Sequence, residues 1–430
     1  MNTPIHDFLT AYSSRSPVRA HMPGGKTTPF DITEISGADS LFECDGIIRQ
    51  SEEIASSLFG SQKTLYSCGG STLAIQTMLA LAKAGNPQKN RIAASRYCHK
   101  SLVSACVLLD LTVDWIPSDS FFSCKVTPQN VQRAVTDSTL CVFVQSIDYY
   151  GGECDIAAVS QVCKKRNIPL LVDNAHGAYK VFTQNHPLSL GADLSADSAH
   201  KTLPCLTGGA YLHIGKNAPG VFSSAAKEMM SLFGSSSPSY LILDSLDLCN
   251  RHIALEKNKA EETVARIGEL KARLAEIGYS LRQSDLMRIS VDAEEYGCSG
   301  FELREELEKR SIFCEYADRK YVVMLFSTAQ PPEDFSKILA AAKEIPKRKP
   351  VQSRDIFIPI PQAAMTLREA VFSETEQISV CDAAGRVCGA VLAPCPPCVP
   401  VIMPGEIFTA RIGAALKSLG IDKIRVVKAV

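Results

Sequence analysis

The stretch Leu170-Leu171-Val172-Asp173-Asn174-Ala175-His176-Gly177-Ala178 decides the fold class of this chain. Four residues typical of a buried strand end in an acid, and a histidine follows three residues later. Similar apolar runs start at Arg91, Val113 and Leu140, and helix-length segments separate them. This alternation predicts right-handed βαβ units and a mainly parallel sheet with helices on both faces. We therefore expect an α/β fold that binds ligands at the carboxyl ends of its strands.

The pattern divides the chain into four regions. The alternation gives predicted helices at 71–83, 101–109, 128–135 and 156–165. Apolar residues at spacings of three and four then predict one long helix over 251–277 that ends at Gly278. A small α+β unit follows, up to the basic linker 346–350. We predict an arm over 1–45, a large ligand-binding domain over 46–250, a linker helix with a small α+β domain over 251–350, and a carboxy-terminal domain over 351–430.

Composition excludes several classes of protein. The chain has 430 residues, of which 46% are hydrophobic, so it can bury a core and is not disordered. Its 45 Lys and Arg nearly balance its 46 Asp and Glu, which argues against a nucleic-acid partner. No apolar run approaches the length of a membrane span. The 16 scattered cysteines and the absence of a basic, apolar leader predict free thiols in the cytoplasm.

Two motifs place reactive side chains at strand ends. Lys201 follows the small, polar residues Ser198, Ala199 and His200, although a surface lysine on a loop has the same appearance. Asp173 ends a buried-type strand where a parallel sheet presents its ligand. The alternative is that Asp173 caps the next helix and His176 is an ordinary loop histidine.

Two further motifs add an anion site and a flat ring. Ser67-Cys68-Gly69-Gly70-Ser71-Thr72 opens a predicted helix, whose first N–H groups and dipole favour a phosphate. The same residues also make an ordinary helix start. His99, within Tyr97-Cys98-His99-Lys100-Ser101, follows another predicted strand and is equally compatible with a loop histidine in water.

One cofactor, pyridoxal 5′-phosphate, uses all of these groups. It needs an amine for a Schiff base (Lys201), a carboxylate that keeps its ring nitrogen protonated (Asp173) and a flat partner for its ring (His99). Its phosphate would be held by Gly70, Ser71, Thr72, Ser198 and His200.

The chain resembles the bacterial Orn/Lys/Arg decarboxylases, pyridoxal-phosphate enzymes of fold type I, the aspartate aminotransferase fold. The resemblance is carried by the Lys201 motif with Thr202-Leu203-Pro204, by Asp173 to Ala178 and by His99-Lys100-Ser101. Amino-terminal support comes from 23–26, 31–34 and 58–60, and carboxy-terminal support from 394–400 and 404–406.

The resemblance implies an activity and a set of roles. The reaction is the α-decarboxylation of lysine, arginine or ornithine to CO₂ and an amine of polyamine biosynthesis. Lys201 carries the Schiff base, Asp173 pairs with the pyridine nitrogen, His99 stacks on the ring and His176 lies near its phenolic side. Ser71, Thr72, Ser198 and His200 hold the phosphate. We expect a short homodimeric form without the family's amino-terminal wing domain, with the active site at the subunit interface and no membrane contact.

Several residues differ from the family pattern or have open roles. The departures are Gly25, Gly69, the segment 147–151 and Thr207-Gly208-Gly209. Asp148 is a candidate contact for the charged groups of the substrate, or else a loop acid facing water. The acids that could meet the distal cation of the substrate, each equally explained as structural, are Glu34, Asp39 and Glu406. Cys395 and Cys398 have a Cys-x-x-Cys spacing without a second pair, so we expect no metal.

Two other functions use the same residues. Another fold type I enzyme (an aminotransferase, aldolase or lyase) would share Lys201 and Asp173. An aminotransferase would also need an arginine for the α-carboxylate, for which Arg288 and Arg319 are the candidates. A degenerate, non-catalytic paralogue is the second alternative, and the intact Lys201 and Asp173 argue against it.

Overall fold

The computed structural model describes residues 1–22, 27–120, 123–351, 360–393 and 399–428. The interpretations that concern 23–26 (with Gly25), 394–398, Cys395 and Cys398 fall outside these ranges. Every cysteine within them is a free thiol, as predicted. No helix of the described part combines the length and apolar character needed to cross a membrane.

A seven-stranded sheet forms the centre of the large domain, and its strands are β1 (Lys63–Ser67), β2 (Arg91–Ser95), β3 (Thr112–Ile116), β4 (Thr139–Gln145), β5 (Leu170–Asp173), β6 (Leu194–Asp197) and β7 (Ala210–Ile214). Their order is β1-β7-β6-β5-β4-β2-β3. The pairs from β3 to β6 are parallel, and only β7 runs antiparallel to its two neighbours. The predicted mainly parallel sheet is confirmed.

Helices cover both faces of this sheet: α1 (Pro4–Ser14), α2 (Ile47–Phe59), α3 (Gly70–Gly85), α4 (Lys100–Leu109), α5 (Pro128–Ala134), α6 (Ile156–Arg166), α7 (Ala199–Thr202), α8 (Gly220–Ser224), α9 (Ala226–Ser231) and α10 (Tyr240–Leu255). Successive strand residues point to opposite faces, so Phe143 packs with α3 and α4 whereas Val142 and Val144 pack with α5 and α6. The continuous apolar run of β4 is therefore buried on both sides.

The small α+β unit begins with α11 (Lys257–Glu276), and its other helices are α12 (Ala293–Tyr296), α13 (Gly300–Glu308) and α14 (Pro332–Glu344). Its antiparallel sheet, in the order β10-β11-β9-β8, consists of β8 (Ser280–Arg282), β9 (Arg288–Asp292), β10 (Tyr316–Ala317) and β11 (Tyr321–Leu325). The long helix predicted over 251–277 is observed over Lys257–Glu276, so its end is confirmed and its predicted start at Arg251 is wrong. The chain breaks at Glu256, because α10 packs on α1 and α2 whereas α11 packs on α14. Gly278 ends α11 with a φ of 95°, a conformation that favours glycine.

The carboxy-terminal residues form a separate small layer with α15 (Leu367–Phe372), β12 (Thr375–Ser379), α16 (Ala410–Ser418) and β13 (Lys423–Val427). β12 and β13 pair as an antiparallel ribbon. A buried ion pair, Arg96 to Glu406 at 3.0 Å, ties this layer to the end of β2.

Candidate active site

Two neighbouring parallel strands bring Asp173 and Lys201 to the same edge of the central sheet. Asp173 is the last residue of β5 and lies opposite Ala196 of β6. The chain leaves β6 through Ser198 into the single turn of α7, which carries Lys201. Because carboxyl ends of parallel strands share one edge, two residues far apart in sequence meet there.

Lys201 contacts His176, the histidine three residues after Asp173. Its Nζ is 3.0 Å from Nε2 of His176. Burial, followed by the positive charge of Lys201, holds the pKa of His176 well below its ordinary value. The ring is therefore neutral, and its Nε2 accepts a hydrogen from the lysine. Its Nδ1 has no hydrogen-bond partner within the described residues.

Asp173 is a buried carboxylate rather than a helix cap. Its Oδ1 accepts a hydrogen bond from the N–H of Ala175 at 3.0 Å, within its own loop. The short 3₁₀ helix that follows, Ala178–Phe182, starts at Gly177 without a side-chain cap. Burial raises the pKa of Asp173 to about 6, whereas the hydrogen bond from Ala175 and the positive charge of Lys201 act to lower it.

His99 caps the start of α4 and presents a neutral ring at the same edge. Its Nδ1 accepts from the backbone N–H of Ser101 at 3.2 Å. In the neutral ring the hydrogen is therefore on Nε2. Burial and the charge of Lys201 lower the pKa of His99 to about 4. His99 is therefore a half-buried helix cap and not a loop histidine in water.

The start of α3 faces the residues before Lys201. The Ser198 hydroxyl donates to Oγ of Ser71 at 2.9 Å, and the backbone N–H groups of Ser71 and Thr72 have no partner within the described residues. Gly70 behaves differently from the prediction, because its N–H already donates to the carbonyl of Gly208. Its φ of 65° is a backbone conformation that favours glycine, and the space where a side chain would stand is open. Gly70 therefore contributes to the shape of the turn.

His200 uses its Nδ1 to bond the loop that leads into β7. Nδ1–H donates to the carbonyl of Gly209 at 2.9 Å, which leaves Nε2 as the remaining polar atom of the ring. Burial, more than the neighbouring charge of Lys201, lowers the pKa of His200.

An aromatic and acidic group beside His176 was missed by sequence reasoning. The ring of Tyr149 meets that of His176 edge to face at 5.2 Å between centroids, and Tyr316 packs on Tyr149 at 5.1 Å. The Tyr149 hydroxyl donates to Oε1 of Glu315 at 2.7 Å. Tyr149 belongs to a segment that the sequence had singled out, but nothing in the sequence links it to residues that lie more than 160 positions later.

Asp148 has neither of its predicted roles. It is fully buried, and its Oδ1 accepts from the N–H groups of Tyr150 at 3.0 Å and Gly152 at 2.8 Å. Its Oδ2 accepts from the N–H of Cys124 at 3.4 Å and lies 3.9 Å from the Arg282 guanidinium. Burial raises its pKa. Asp148 therefore stabilises its own turn, and it faces neither water nor the cluster.

Of the three acids suggested for the distal cation, Asp39 and Glu406 have structural roles, whereas Glu34 is exposed. Asp39 is buried and accepts backbone N–H bonds at the start of α2, including those of Gly46 and Ile48 at 2.9 Å each. Glu34 is exposed and bonded to the hydroxyl of Thr33. Glu406 is held by Arg96.

Neither candidate arginine is positioned to bind the α-carboxylate of a substrate at this cluster. Arg288 is buried in an ion pair with Asp285. The side chain of Arg319 is 69% exposed, at 4.0 Å from Glu294.

The cluster is partly exposed to solvent. Lys201, His99, His200 and Ser71 are all partly exposed. Two clefts of about 740 Å³ each contain none of these residues and share Gly60 and Lys216. They carry no group of the predicted chemistry, so the contacts between side chains, not cavity size, identify the site.

Family models match most of this chain. Residues 3–293 match the model described as "Orn/Lys/Arg decarboxylase, major domain". Residues 351–421 match the model of the C-terminal domain of the same family. The first match alone covers more than half of the chain and includes every residue of the cluster except Glu315 and Tyr316.

Curated relatives and solved structures agree with these matches. The chain is 28% identical to the arginine decarboxylase of Bacillus subtilis (strain 168) and 27% identical to that of Halalkalibacterium halodurans, each over 95% of this chain and 91% of the relative. It superposes on the constitutive lysine decarboxylase of E. coli with a TM-score of 0.78 at 17% identity, over 99% of this chain and 82% of the other. Lysine decarboxylase A from Pseudomonas aeruginosa gives 0.82 at 15% identity, over 99% and 80%. The fold is therefore that of the fold type I enzymes, as predicted.

Proposed function

The chain belongs to the Orn/Lys/Arg decarboxylase family, and we propose that it removes the α-carboxylate of a basic amino acid with the help of pyridoxal 5′-phosphate. The observation that carries this proposal is the meeting of Lys201, Asp173, His176 and His99 at one edge of the central sheet. The named relatives, which are arginine decarboxylases, support the same reaction class.

The residues present fit this cofactor. The buried polar atom Nδ1 of His176 lacks a partner within the described residues, and the buried carboxylate of Asp173 has a raised pKa. Both properties suit a site that receives a further polar, positively charged ring. The two unpartnered N–H groups at the start of α3, with the hydroxyls of Ser71 and Ser198, suit a phosphate.

When bound, pyridoxal phosphate supplies the electron sink into which the bonding electrons of the departing carboxylate flow. Lys201 Nζ is the amine that attaches the cofactor covalently, and His176 assists because its neutral Nε2 accepts a hydrogen from Nζ. Asp173 would hold the proton on the ring nitrogen of the bound cofactor, and its burial would strengthen that ion pair. The neutral ring of His99 is free to stack on a cationic ring without charge repulsion.

The group formed by Tyr149, Tyr316 and Glu315 indicates the side chain of the substrate. A guanidinium ion stacks on aromatic rings and pairs with a carboxylate through two parallel hydrogen bonds. Glu315 is exposed, and its carboxylate lies near the cluster because it accepts from Tyr149, whose ring contacts His176. We infer that arginine is the preferred substrate and that Glu315 meets its distal cation.

We also propose that the protein is a homodimer with a shared active site. The cluster is partly exposed, and Leu206, in the loop between Lys201 and Gly209, is 51% exposed. An exposed apolar side chain in this loop suits a covering subunit. Light scattering on the purified protein should give twice the chain mass, and a monomer with full activity would exclude a shared site.

The direct test is a CO₂-release assay with the purified full-length chain supplied with pyridoxal phosphate. Arginine, lysine and ornithine are compared at equal concentrations, and the amine product is identified by mass spectrometry. We expect arginine to be decarboxylated with the highest kcat/KM. Protein that holds the cofactor but releases no CO₂ from any of the three would contradict the proposed reaction.

A further inference from the structure

One asparagine fastens the loop that carries Asp173 and His176. The buried Asn174 donates from Nδ2 to Oδ2 of Asp197 at 2.9 Å, and its Oδ1 accepts from the hydroxyl of Ser146 at 2.6 Å. Its backbone N–H donates to the carbonyl of Ala196 at 2.9 Å. The side chain therefore joins residues at the ends of β4, β5 and β6. A side chain at Gly177 would come within 2.1 Å of the Asn174 amide, so the loop closes directly on it.

Asp197 anchors this asparagine and is itself held from three sides. It is fully buried at the end of β6. The hydroxyl of Ser195 donates to its Oδ1 at 2.8 Å, and Nε2 of His186 lies 3.0 Å from its Oδ2, the atom that also accepts from Asn174. Although burial by itself raises the pKa of Asp197, His186 and the other donors lower it overall. Asp197 is therefore a fixed negative charge beneath the cluster.

A metal ion is a less suitable explanation for this group. His186, Asp197 and His213 place one ligand atom each within 4.8 Å of the others, and Nε2 of His213 is buried without a partner in the described structure. However, the N–H of Leu188 donates to Nδ1 of His186 at 3.3 Å, so the hydrogen of that ring is on Nε2. A nitrogen that donates to Asp197 has no lone pair for a metal.

We propose that Asp197 is a positioning residue for the cofactor, acting through Asn174 on the loop of Asp173 and His176. The inference rests on the proposed function, because the orientation in question is that of Asp173 towards the cofactor ring. Asp197 is fully buried, and its side chain is hydrogen-bonded to Asn174, Ser195 and His186. Removing it leaves the side-chain amide of Asn174 without its acceptor, so the side chain no longer holds the loop to the end of β6, and only the backbone bond to Ala196 remains there.

The test measures cofactor binding to apoprotein and does not depend on turnover. The variants are Asp197→Ala, Asp197→Asn, Asn174→Ala and the double variant Asp197→Asn/Asn174→Ala. Equilibrium dialysis gives the dissociation constant of pyridoxal phosphate, and the circular dichroism of its visible absorption band reports the orientation of the bound ring. Asp193→Asn is the matched control, because Asp193 accepts a backbone bond from Leu170 just before β6, at the opposite edge of the sheet.

We expect Asp197→Ala to raise the dissociation constant by about tenfold or more and to weaken the visible dichroism. Asp197→Asn should recover part of both, since an amide oxygen still accepts from Asn174. In the double variant the effect of Asp197→Asn should nearly vanish, because its route through Asn174 is gone. The thermal midpoint of each apoprotein shows that it is folded, and Asp193→Asn should bind like the wild type.

Two results would overturn the inference while leaving the proposed function intact. One is wild-type binding and dichroism in folded Asp197→Ala and Asp197→Asn. The other is independent, multiplicative effects of the two substitutions in the double variant. A wild-type chain that binds no pyridoxal phosphate would instead refute the proposed function itself.

Discussion

Nζ of Lys201 and Nε2 of His176 lie 3.0 Å apart, and the histidine is buried and neutral. A neutral imidazole accepts a hydrogen from an amine, whereas a protonated one would repel it. The contact therefore fixes Nζ of Lys201, the atom that would attach a carbonyl compound covalently, at the carboxyl edge of the sheet.

Replacing Lys201 by alanine removes that amine. We expect decarboxylation to fall by at least about a hundredfold and the mass increment of covalently bound cofactor after borohydride reduction to disappear. Lys100→Ala, at an exposed lysine in α4, is the control and should keep both. A reduced cofactor still attached to the Lys201→Ala protein would assign the bond to a different lysine.

Replacing Asp173 by asparagine should stabilise the apoprotein at neutral pH. Burial raises the pKa of this carboxyl from 3.8 to about 6, so the folded state binds its proton more tightly than the unfolded state does. The stability that this group confers at low pH is lost as pH rises through that interval, by roughly 3 kcal/mol in total. The difference in unfolding free energy between Asp173→Asn and wild type should therefore grow from pH 4 to about 7.

Urea unfolding of both apoproteins across this range measures the difference directly. Using the difference matters, because the lowered pKa values of His99 and His176 destabilise both proteins alike as pH falls. A difference that does not change with pH would show that Asp173 titrates normally. The same substitution should also sharply reduce decarboxylation, because the carboxylate proposed to pair with the ring nitrogen is gone.

Replacing Glu315 by glutamine should affect substrate binding more than turnover. We expect KM for arginine to rise by about tenfold or more, with a smaller change in kcat, since a charged hydrogen-bond partner is lost. Tyr149→Phe removes only the hydroxyl that donates to Glu315 and should give a smaller rise in KM. Glu305→Gln, at an exposed position in α13, is the control. Unchanged KM values in both variants would exclude this group as the subsite for the distal cation.

Replacing Asp148 by asparagine should reduce stability without changing kinetics. Its carboxylate accepts three backbone N–H bonds in a buried turn, and an amide has only one oxygen to offer. We expect a loss of about 1–3 kcal/mol of unfolding free energy, measured by urea denaturation. An altered KM at full stability would restore Asp148 as a substrate contact.

Replacing Glu406 by alanine should strongly destabilise the protein, because Arg96 is left buried without its ion-pair partner. We expect a loss of about 3–5 kcal/mol. The double variant Arg96→Met/Glu406→Met should recover much of it, since both charges are then absent. If Glu406→Ala instead raises KM without a change in stability, the distal-cation role returns to this residue.

Local patterns predicted the parts of the site that follow directly from strand ends. Asp173 ends its predicted strand at the observed residue, and Lys201, His176 and Ser198 come together because β5 and β6 are parallel neighbours. The helix starting at Gly70 was predicted from its glycines and hydroxyls, although the use of its N–H by Gly208 depends on tertiary contact.

Long-range pairing limited the other predictions. Asp39, Asp148 and Glu406 are acids whose partners are set by turns and by packing between domains, so their residue type alone was compatible with a binding role. Glu315 carries no local motif, and it joins the cluster through Tyr149. The break at Glu256 was hidden because the apolar spacing continues on both sides of it.

With pyridoxal phosphate bound as proposed, the buried carboxylate of Asp173 would make the stability of the polypeptide depend on the cofactor. An ionised group kept from water weakens the empty protein at neutral pH, and a cationic ring bound against it removes that weakness and adds binding free energy. Newly made chains that find no cofactor should therefore be digested by proteases sooner than loaded ones. Limited proteolysis with and without pyridoxal phosphate would show whether the cell discards the enzyme when the cofactor is scarce.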